Sequence, residues 1–343
     1  MKYEGEKNYK HGTKERLGIL LTNLGTPDEP NKKFLKIYLK EFLSDPRVIE
    51  VPKLIWQIIL RLIILNLRPQ KVAKLYKSVW TKKGGPLLVM LKKQKKGIEK
   101  ILKRKLKNAH IEVGMRYGNP SLKNGLEKLR EKKCRRILIL PLYPQYCAAT
   151  TGSTFDKITE TLRKWRWIPE IRFINNYFDN PFYINCLVES IKNNWKKNRK
   201  TQKLIFSYHG IPKKYLLKGD PYHCFCQKTT RLVAEKMKLK EEEYMTTFQS
   251  RFGPDEWLQP YTDKTLEELP AKGIKKIHII SPGFSSDCLE TLEELGVENK
   301  DNFLKAGGNE YYYIKCLNDN SNHLKMLSDL ILNHIQGWPE HKN

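Results

Sequence analysis

What this chain of 343 residues lacks narrows it first. Its 7 cysteines are an odd, scattered set with no paired framework. Free thiols in a reducing compartment, and hence a cytoplasmic location, fit better than a disulfide-stapled secreted domain. Residues 1–15 (MKYEGEKNYKHGTKE) carry charge but no apolar core, so neither a signal peptide nor a membrane anchor is expected there; they read as a short disordered arm. The loop TNLGTPDEP (22–30) has one glycine and a proline where a dinucleotide fingerprint needs three glycines, and no GxxxxGK[ST] occurs, so nucleotide use is not expected. Acidic residues are scarce too: 37 Asp and Glu face 64 Lys and Arg, a formal charge of +27. Such a balance invites a nucleic-acid reading. Yet the excess is spread along the chain and mostly lysine, and its densest run, LKKQKKGIEKILKRKLKN (91–108), looks like a solvated helix face. With no zinc-finger, basic-zipper or RNP-type pattern beside it, no specific nucleic acid is expected; attraction to acidic lipids or anionic ligands remains.

What is present is alternation. Short apolar runs at 17–25, 111–118, 136–144, 171–177, 203–210, 244–250, 276–284 and 310–318 read as strands. Amphipathic stretches such as 121–134, 181–197 and 229–239 read as helices between them. Nearly all-apolar strands separated by helices predict parallel sheets covered on both faces. The pattern runs twice, to about residue 150 and again from about 165 to 318. The expected fold is therefore α/β, with two similar Rossmann-like domains at 1–160 and 161–320. A C-terminal helix (321–343) places Leu324, Leu327, Leu330, Ile331 and Ile335 on one face, for packing on the first domain.

In open parallel sheets, ligands bind beyond the carboxyl ends of the strands. In FSYHGIP (206–212), His209 ends an apolar run and is followed by Gly210 and Pro212, so an imidazole is presented at such an end. Just after the run 276–284 comes SSDCLETLEELGVE (285–298). There Asp287 sits near a helix start, and Glu290, Glu294 and Glu298 recur every fourth residue, which on an α-helix lines them on one face. Crowded carboxylates raise one another's proton affinity and attract cations, which suits proton relay or metal handling. His and Glu together can ligate a borderline ion such as Fe(II), or act as base and proton acceptor. Tyr117, Tyr143, Tyr146, Tyr208, Phe284 and Trp257 offer aromatic surface near strand ends, with Arg116 as a cation. CAATTGST (147–154) is either an anion cradle or a helix-capping turn. Residues 51–69 (VPKLIWQIILRLIILNLRP) are strongly apolar around Arg61, too short to span a bilayer, and read as a buried core helix or as an apolar lip that could touch a membrane surface. His223, Cys224 and Cys226 form one pair of cysteines beside a histidine; a structural zinc site wants two spaced pairs, so zinc is not expected.

Taken in order, LLTNLGTPD, VWTKKGGPL, VGMRYGNPS, LPLYPQYCAATTGS, SYHGIP, GDPYHCFCQKTTRLVAEKM, FQSRFGPDEWLQPYT, SPGFSSDCLETLEELGVE and YYYIKCLND resemble the ferrochelatase family over nearly the whole chain. The resemblance implies a lyase that inserts ferrous iron into protoporphyrin IX, the last step of haem biosynthesis, with two Rossmann-like domains and the porphyrin between them. It implies His209 and Glu290 as catalytic and metal-binding residues, and Asp287, Glu294 and Glu298 on a proton or metal path. Leu24, Arg116, Tyr117, Tyr146 and Phe284 are the implied porphyrin contacts, and 51–69 the active-site lip. Fe2+ enters as substrate, with no tightly bound cofactor. Two departures stand out. Cys288 occupies the place where some members have a second histidine, and no cysteine cluster follows Cys316, so no iron–sulfur cluster is expected. The alternatives are a chelatase of the same fold acting on a coproporphyrin- or sirohydrochlorin-type ring, or a haem or metal carrier without turnover.

Overall fold

The computed structural model describes residues 3–6 and 9–342. Two compact units emerge: Met1–Leu142 with Ala148–Asn175 and Leu324–Asn343, and Tyr143–Cys147 with Asn176–His323. The first begins with β1 (Arg16–Thr26), α1 (Lys32–Leu43) and α2 (Lys53–Ile59), which passes through a π-helical turn (Leu60–Ile64) into α3 (Leu65–Val79). Then come α4 (Pro86–Leu102), β2 (Ala109–Gly118), α5 (Leu122–Glu131), β3 (Cys134–Pro141), a π turn (Ala148–Gly152), α6 (Ser153–Leu162) and β4 (Glu170–Phe173). All pairings are parallel, in the order β2-β1-β3-β4. Leu20, Ile137 and Ile139 pack against Leu122, Leu126 and Leu129 of α5 and Ile158 and Leu162 of α6, which is why these strands read as unbroken apolar runs.

The second unit repeats the plan. It runs α7 (Pro181–Asn198), β5 (Lys203–His209), α8 (Lys213–Leu217), α9 (Tyr222–Met237), β6 (Tyr244–Gln249), α10 (Thr262–Glu268), β7 (Lys276–Ile280), a π-helix (Glu290–Glu298), α11 (Asn299–Lys305) and β8 (Glu310–Ile314). Its sheet is again parallel, ordered β6-β5-β7-β8. In each sheet the earliest strand lies inside, with its successor on one side and the third strand on the other. That reversal is the switch point at whose carboxyl edge ligands bind.

α12 (Ser321–His334) spans the divide between the units, and from Leu324 onward the chain belongs to the first. Leu324 lies over Gly97 of α4, where a Cβ would come within 2.4 Å of a Leu324 methyl, so a larger residue there would force the leucine side chain to shift. At the far end of the segment, Arg172 of β4 donates to the carbonyls of His334 and Gln336, and Trp338 Nε1 donates to Glu170.

Two expectations are corrected. Residues 171–177 were grouped with the second half, but β4 pairs with β3, so the division falls after Asn175 rather than near 160. The N-terminal arm is ordered where it is described: Glu4 bridges Trp165, and the half-buried Glu6 accepts from Lys133 (2.7 Å) and from Arg135. Burial opposes the charge on Glu6, but these two cations outweigh it and hold its proton affinity below the usual carboxylate range. Met1, Lys2, Lys7 and Asn8 lie outside the described residues.

Candidate active site

β5 delivers His209 to the switch point of the second sheet, with Gln249 of β6 as its register partner. Beyond it the chain must turn sharply under Trp257: a Cβ on Gly210 would meet the Gln249 carbonyl at 3.0 Å and the Trp257 ring at 3.2 Å. Glycine therefore lets the backbone pass, and the Gly210 N–H donates to that same carbonyl (2.7 Å). His209 Nδ1 lies 2.7 Å from the Gly210 carbonyl, which can only accept. Nδ1 thus carries the proton, and Nε2 is left with its lone pair for a proton or a metal ion. The Phe284 ring stands 6.5 Å away, tilted by 52°. Tyr208, next to His209, points to the opposite face of the strand, fully buried with its hydroxyl on Thr230 (3.0 Å).

The chain leaving β7 is fixed by Ser281, whose hydroxyl donates to the Ser207 carbonyl (2.7 Å), and then opens into the π-helix Glu290–Glu298. π-helical turns are rare and cluster at functional sites. Here the wider turn changes the acidic row. Glu290 still acts on Glu294 four residues on, but Glu298 acts on Glu293, five residues back. Burial, with the Glu290 charge adding to it, lifts the Glu294 carboxyl to about 7, even though hydrogen bonds from Ser250 and Gln249 favour its ionised form. Burial, then Glu298, also raises Glu293.

Gln249 joins the imidazole strand to this helix. Its Nε2 donates to the Glu290 carbonyl (2.9 Å) and to the Glu294 carboxylate (3.3 Å), while its Oε1 accepts from Ser207 of β5 (2.7 Å). Ser250 adds its backbone N–H to Glu294 (2.9 Å) and its hydroxyl as well. From the other side the Tyr311 hydroxyl donates to the Leu295 carbonyl (2.6 Å). Gln249, Ser250 and Glu293 were not singled out from the sequence. Neutral side chains at a strand end give no local signal, and Glu293 joins the acidic set only through the π geometry.

Asp287 does not belong to the open row. It is buried, and its carboxylate accepts from Tyr313 (2.6 Å), Asn318 (2.7 Å), Thr291 (3.1 Å) and the backbone of Cys316 (3.3 Å). In return its N–H donates to Asn318 Oδ1 (2.9 Å). With both oxygens engaged, Asp287 anchors the approach to the π-helix. Cys288 beside it is buried, and burial together with the nearby Glu290 pushes its thiol well up, so it stays protonated.

Of the expected porphyrin contacts, Phe284 and Tyr146 are part-exposed in the second unit and Leu24 is part-exposed at the end of β1 in the first. Tyr117 is not a surface aromatic. It is 0% exposed, its hydroxyl donates to Asp45 (2.8 Å), and Arg116 beside it is paired with the same carboxylate. The stretch 51–69 is no buried core helix: Leu54 is 84%, Leu62 68% and Leu67 72% exposed, while Leu60 and Leu65 face inward. Cys224 and Cys226 diverge, one exposed and one fully buried, and His223 stacks on Phe248. Among the described residues no group of three or more His, Cys, Asp or Glu gathers as a metal cage, and no helix is long and apolar enough to cross a membrane.

A family model described as Ferrochelatase matches residues 16–335. The protein named ferrochelatase from Thioalkalivibrio sulfidiphilus is 52% identical over 341 residues, covering 99% of this chain and 92% of that one. Its namesake from Idiomarina loihiensis is 52% identical over 339 residues, covering 98% and 93%. Among solved structures, the sirohydrochlorin chelatase SirB from Bacillus subtilis subspecies spizizenii in complex with cobalt superposes with a TM-score of 0.53 at 11% identity, covering 94% of each chain. CbiX, described as the terminal enzyme of sirohaem biosynthesis in denitrifying bacteria, gives 0.51 at 10% identity, covering 92% of this chain and 97% of that one. At such identities these two speak for the fold alone.

Proposed function

The chain belongs to the ferrochelatase family, and from that premise we propose that it inserts ferrous iron into protoporphyrin IX, with His209 and Glu290 at the metal and the glutamates behind them as the way out for protons. It is an enzyme of haem and porphyrin biosynthesis, and its substrates are a porphyrin and ferrous iron. Insertion exchanges two pyrrole N–H protons for one Fe(II), so the chemistry needs a base at the ring and a route for two protons. His209 Nε2 supplies the base, its tautomer set by Gly210. Two donors hold a borderline ion loosely, which suits an ion that must move on to the ring. Glu294, titrating near neutrality at about 7, can take up and release a proton at working pH, and Glu293 and Glu298 continue the row. Binding energy from the porphyrin's apolar edges is spent on bending the ring so that its nitrogens face the base.

The observation that carries this reading is the joint at Gln249, which ties the imidazole strand to Glu290 and Glu294. The test is anaerobic incubation with Fe(II) and protoporphyrin IX, following metalloporphyrin spectrally over many equivalents. Multiple turnover is expected. Stoichiometric uptake without turnover would make the protein a carrier, and faster turnover with coproporphyrin would overturn the choice of ring.

The exposed apolar face of the lip supports the less polar porphyrin, and with it a peripheral contact of a cytoplasmic enzyme with anionic membrane. Lys53, Arg61 and Lys71 flank or interrupt that face, so apolar insertion and charge act together. Replacing Leu54, Ile58 and Leu62 together by Asn should weaken binding to phosphatidylglycerol-containing vesicles at least tenfold, since each buried aliphatic side chain contributes about 1.5–3 kcal/mol. Co-sedimentation checks this, and unchanged binding would show that the lip does not carry the contact.

A further inference from the structure

We propose that Asp45 is a positioning residue for the porphyrin: its buried carboxylate latches the root of the apolar lip, and Arg116 and Tyr117 act on the substrate through this latch rather than by touching it. The proposal rests on the reading of the protein as a porphyrin chelatase. Between the end of α1 at Leu43 and the start of α2 at Lys53 the chain has no helix or strand of its own. Asp45 organises that stretch twice. Its backbone carbonyl accepts from the N–H groups of Val48 and Ile49 (3.0 Å each), closing a turn. Its side chain fastens the turn to two other elements: Oδ2 accepts from the Tyr117 hydroxyl at the end of β2 (2.8 Å), from the Ser153 hydroxyl at the start of α6 (2.5 Å) and from the Arg116 guanidinium, while Oδ1 accepts from the N–H of Arg47 (2.8 Å).

The surroundings of Arg116 agree. Its Nε donates to both the carbonyl (3.0 Å) and the hydroxyl (2.6 Å) of Ser153, so the guanidinium is committed inward. Burial alone would raise the proton affinity of Asp45, but Ser153, Arg116, Tyr117 and the Arg47 N–H together hold it below the ordinary carboxylate value. A second tie lies beside it, where Arg47 forks onto Asp156 of α6 (2.7 and 3.1 Å). Past these bolts, Trp56 Nε1 donates to the Leu43 carbonyl (2.5 Å), so α2 leaves the latch in a fixed direction with Leu54, Ile55 and Ile58 turned outward. Removing the carboxylate would leave the largely enclosed Arg116, its side chain 12% exposed, without its counter-charge, the costly half of breaking such a pair, and the root would rearrange.

The experiment compares Asp45→Asn and Tyr117→Phe with the unaltered protein. Measured are porphyrin KM and kcat at saturating Fe(II), porphyrin affinity by fluorescence quenching, thermal unfolding, and trypsin cleavage at Lys53 and Arg61. Asp45→Asn is expected to raise KM and Kd about tenfold, keep kcat within about threefold, and speed cleavage in the lip. Tyr117→Phe, which removes one donor of the set, should shift the same quantities less. Unchanged KM and cleavage would overturn the latch, as would a fall in kcat at constant KM, which would place Asp45 in the chemistry. Should Asp45→Asn fail to fold, Tyr117→Phe and Ser153→Ala carry the test, each removing a single donor. Absence of turnover in the unaltered protein would overturn the chelatase reading, while faster cleavage in the variants would still uphold the latch.

Discussion

Replacing His209 by Ala is expected to lower the rate of iron insertion by about 10²–10⁴-fold, the usual span for losing a positioned general base, while porphyrin still binds. The imidazole is part-exposed at the end of β5, and its Nδ1 bond is to the neighbouring Gly210 carbonyl rather than to a distant element. Its loss therefore removes chemistry without unstitching the sheet, and thermal stability should move little. Porphyrin affinity should also hold, because the surface proposed for the ring is apolar and aromatic, with Phe284 beside the histidine remaining in place. Both are read in one assay, with porphyrin fluorescence reporting binding and the metalloporphyrin spectrum reporting turnover under anaerobic Fe(II). Turnover within a few-fold of the unaltered protein would remove His209 from the reaction. Loss of porphyrin binding in parallel would make it a structural or binding residue instead.

The imidazole was legible in the sequence because its signal is local: an apolar run, a histidine, then glycine and proline. For the same reason all eight strands stood out, since strands covered on both faces need unbroken apolar runs. What escaped depends on contacts between distant segments. β4 joins the first sheet through its pairing with β3, and nothing in Glu170–Phe173 says which sheet will take it. The glutamates at 290, 294 and 298 read as one α-helical stripe, yet the π-helix re-sorts them and brings in Glu293. A π turn has no signature in a pattern of charges. Tyr117 and Arg116 looked like site residues because they end a strand, and only the position of Asp45, far away in sequence, shows them turned inward. Gln249 is the plainest case: one neutral amide at the end of β6 joins the strand of His209 to the acidic π-helix, and its place there is set wholly by what the fold puts around it.

Glu294→Gln should make the protein more stable at alkaline pH and slower at neutral pH. Burial lifts the Glu294 carboxyl from 4.5 to about 7, so the folded protein holds this proton more tightly than the unfolded chain does. Below 4.5 the group is protonated in both states and nothing is lost. Between 4.5 and 7 the folded state binds the extra proton, so stability falls as pH rises. Above 7 the side chain is charged in both states, and the full penalty of keeping it buried is in force. The difference corresponds to about 3 kcal/mol, and glutamine escapes it. Against that gain, the amide has one acceptor oxygen for the donors of Gln249 and Ser250, which returns about 1 kcal/mol. Chemical denaturation should therefore show the variant more stable by about 2 kcal/mol at pH 8, with the advantage shrinking as pH falls below 7 and reversing by pH 4.5, where little of the burial penalty remains. The same substitution leaves a side chain that cannot carry a proton, so kcat at neutral pH should fall while porphyrin KM stays unchanged. A variant less stable at pH 8 would show that the carboxylate is not penalised in the fold, and an unaltered kcat would take Glu294 off the proton route. If both effects appear together, the acidic π-helix retains a destabilising charge because the reaction needs a group that titrates near neutrality at that point.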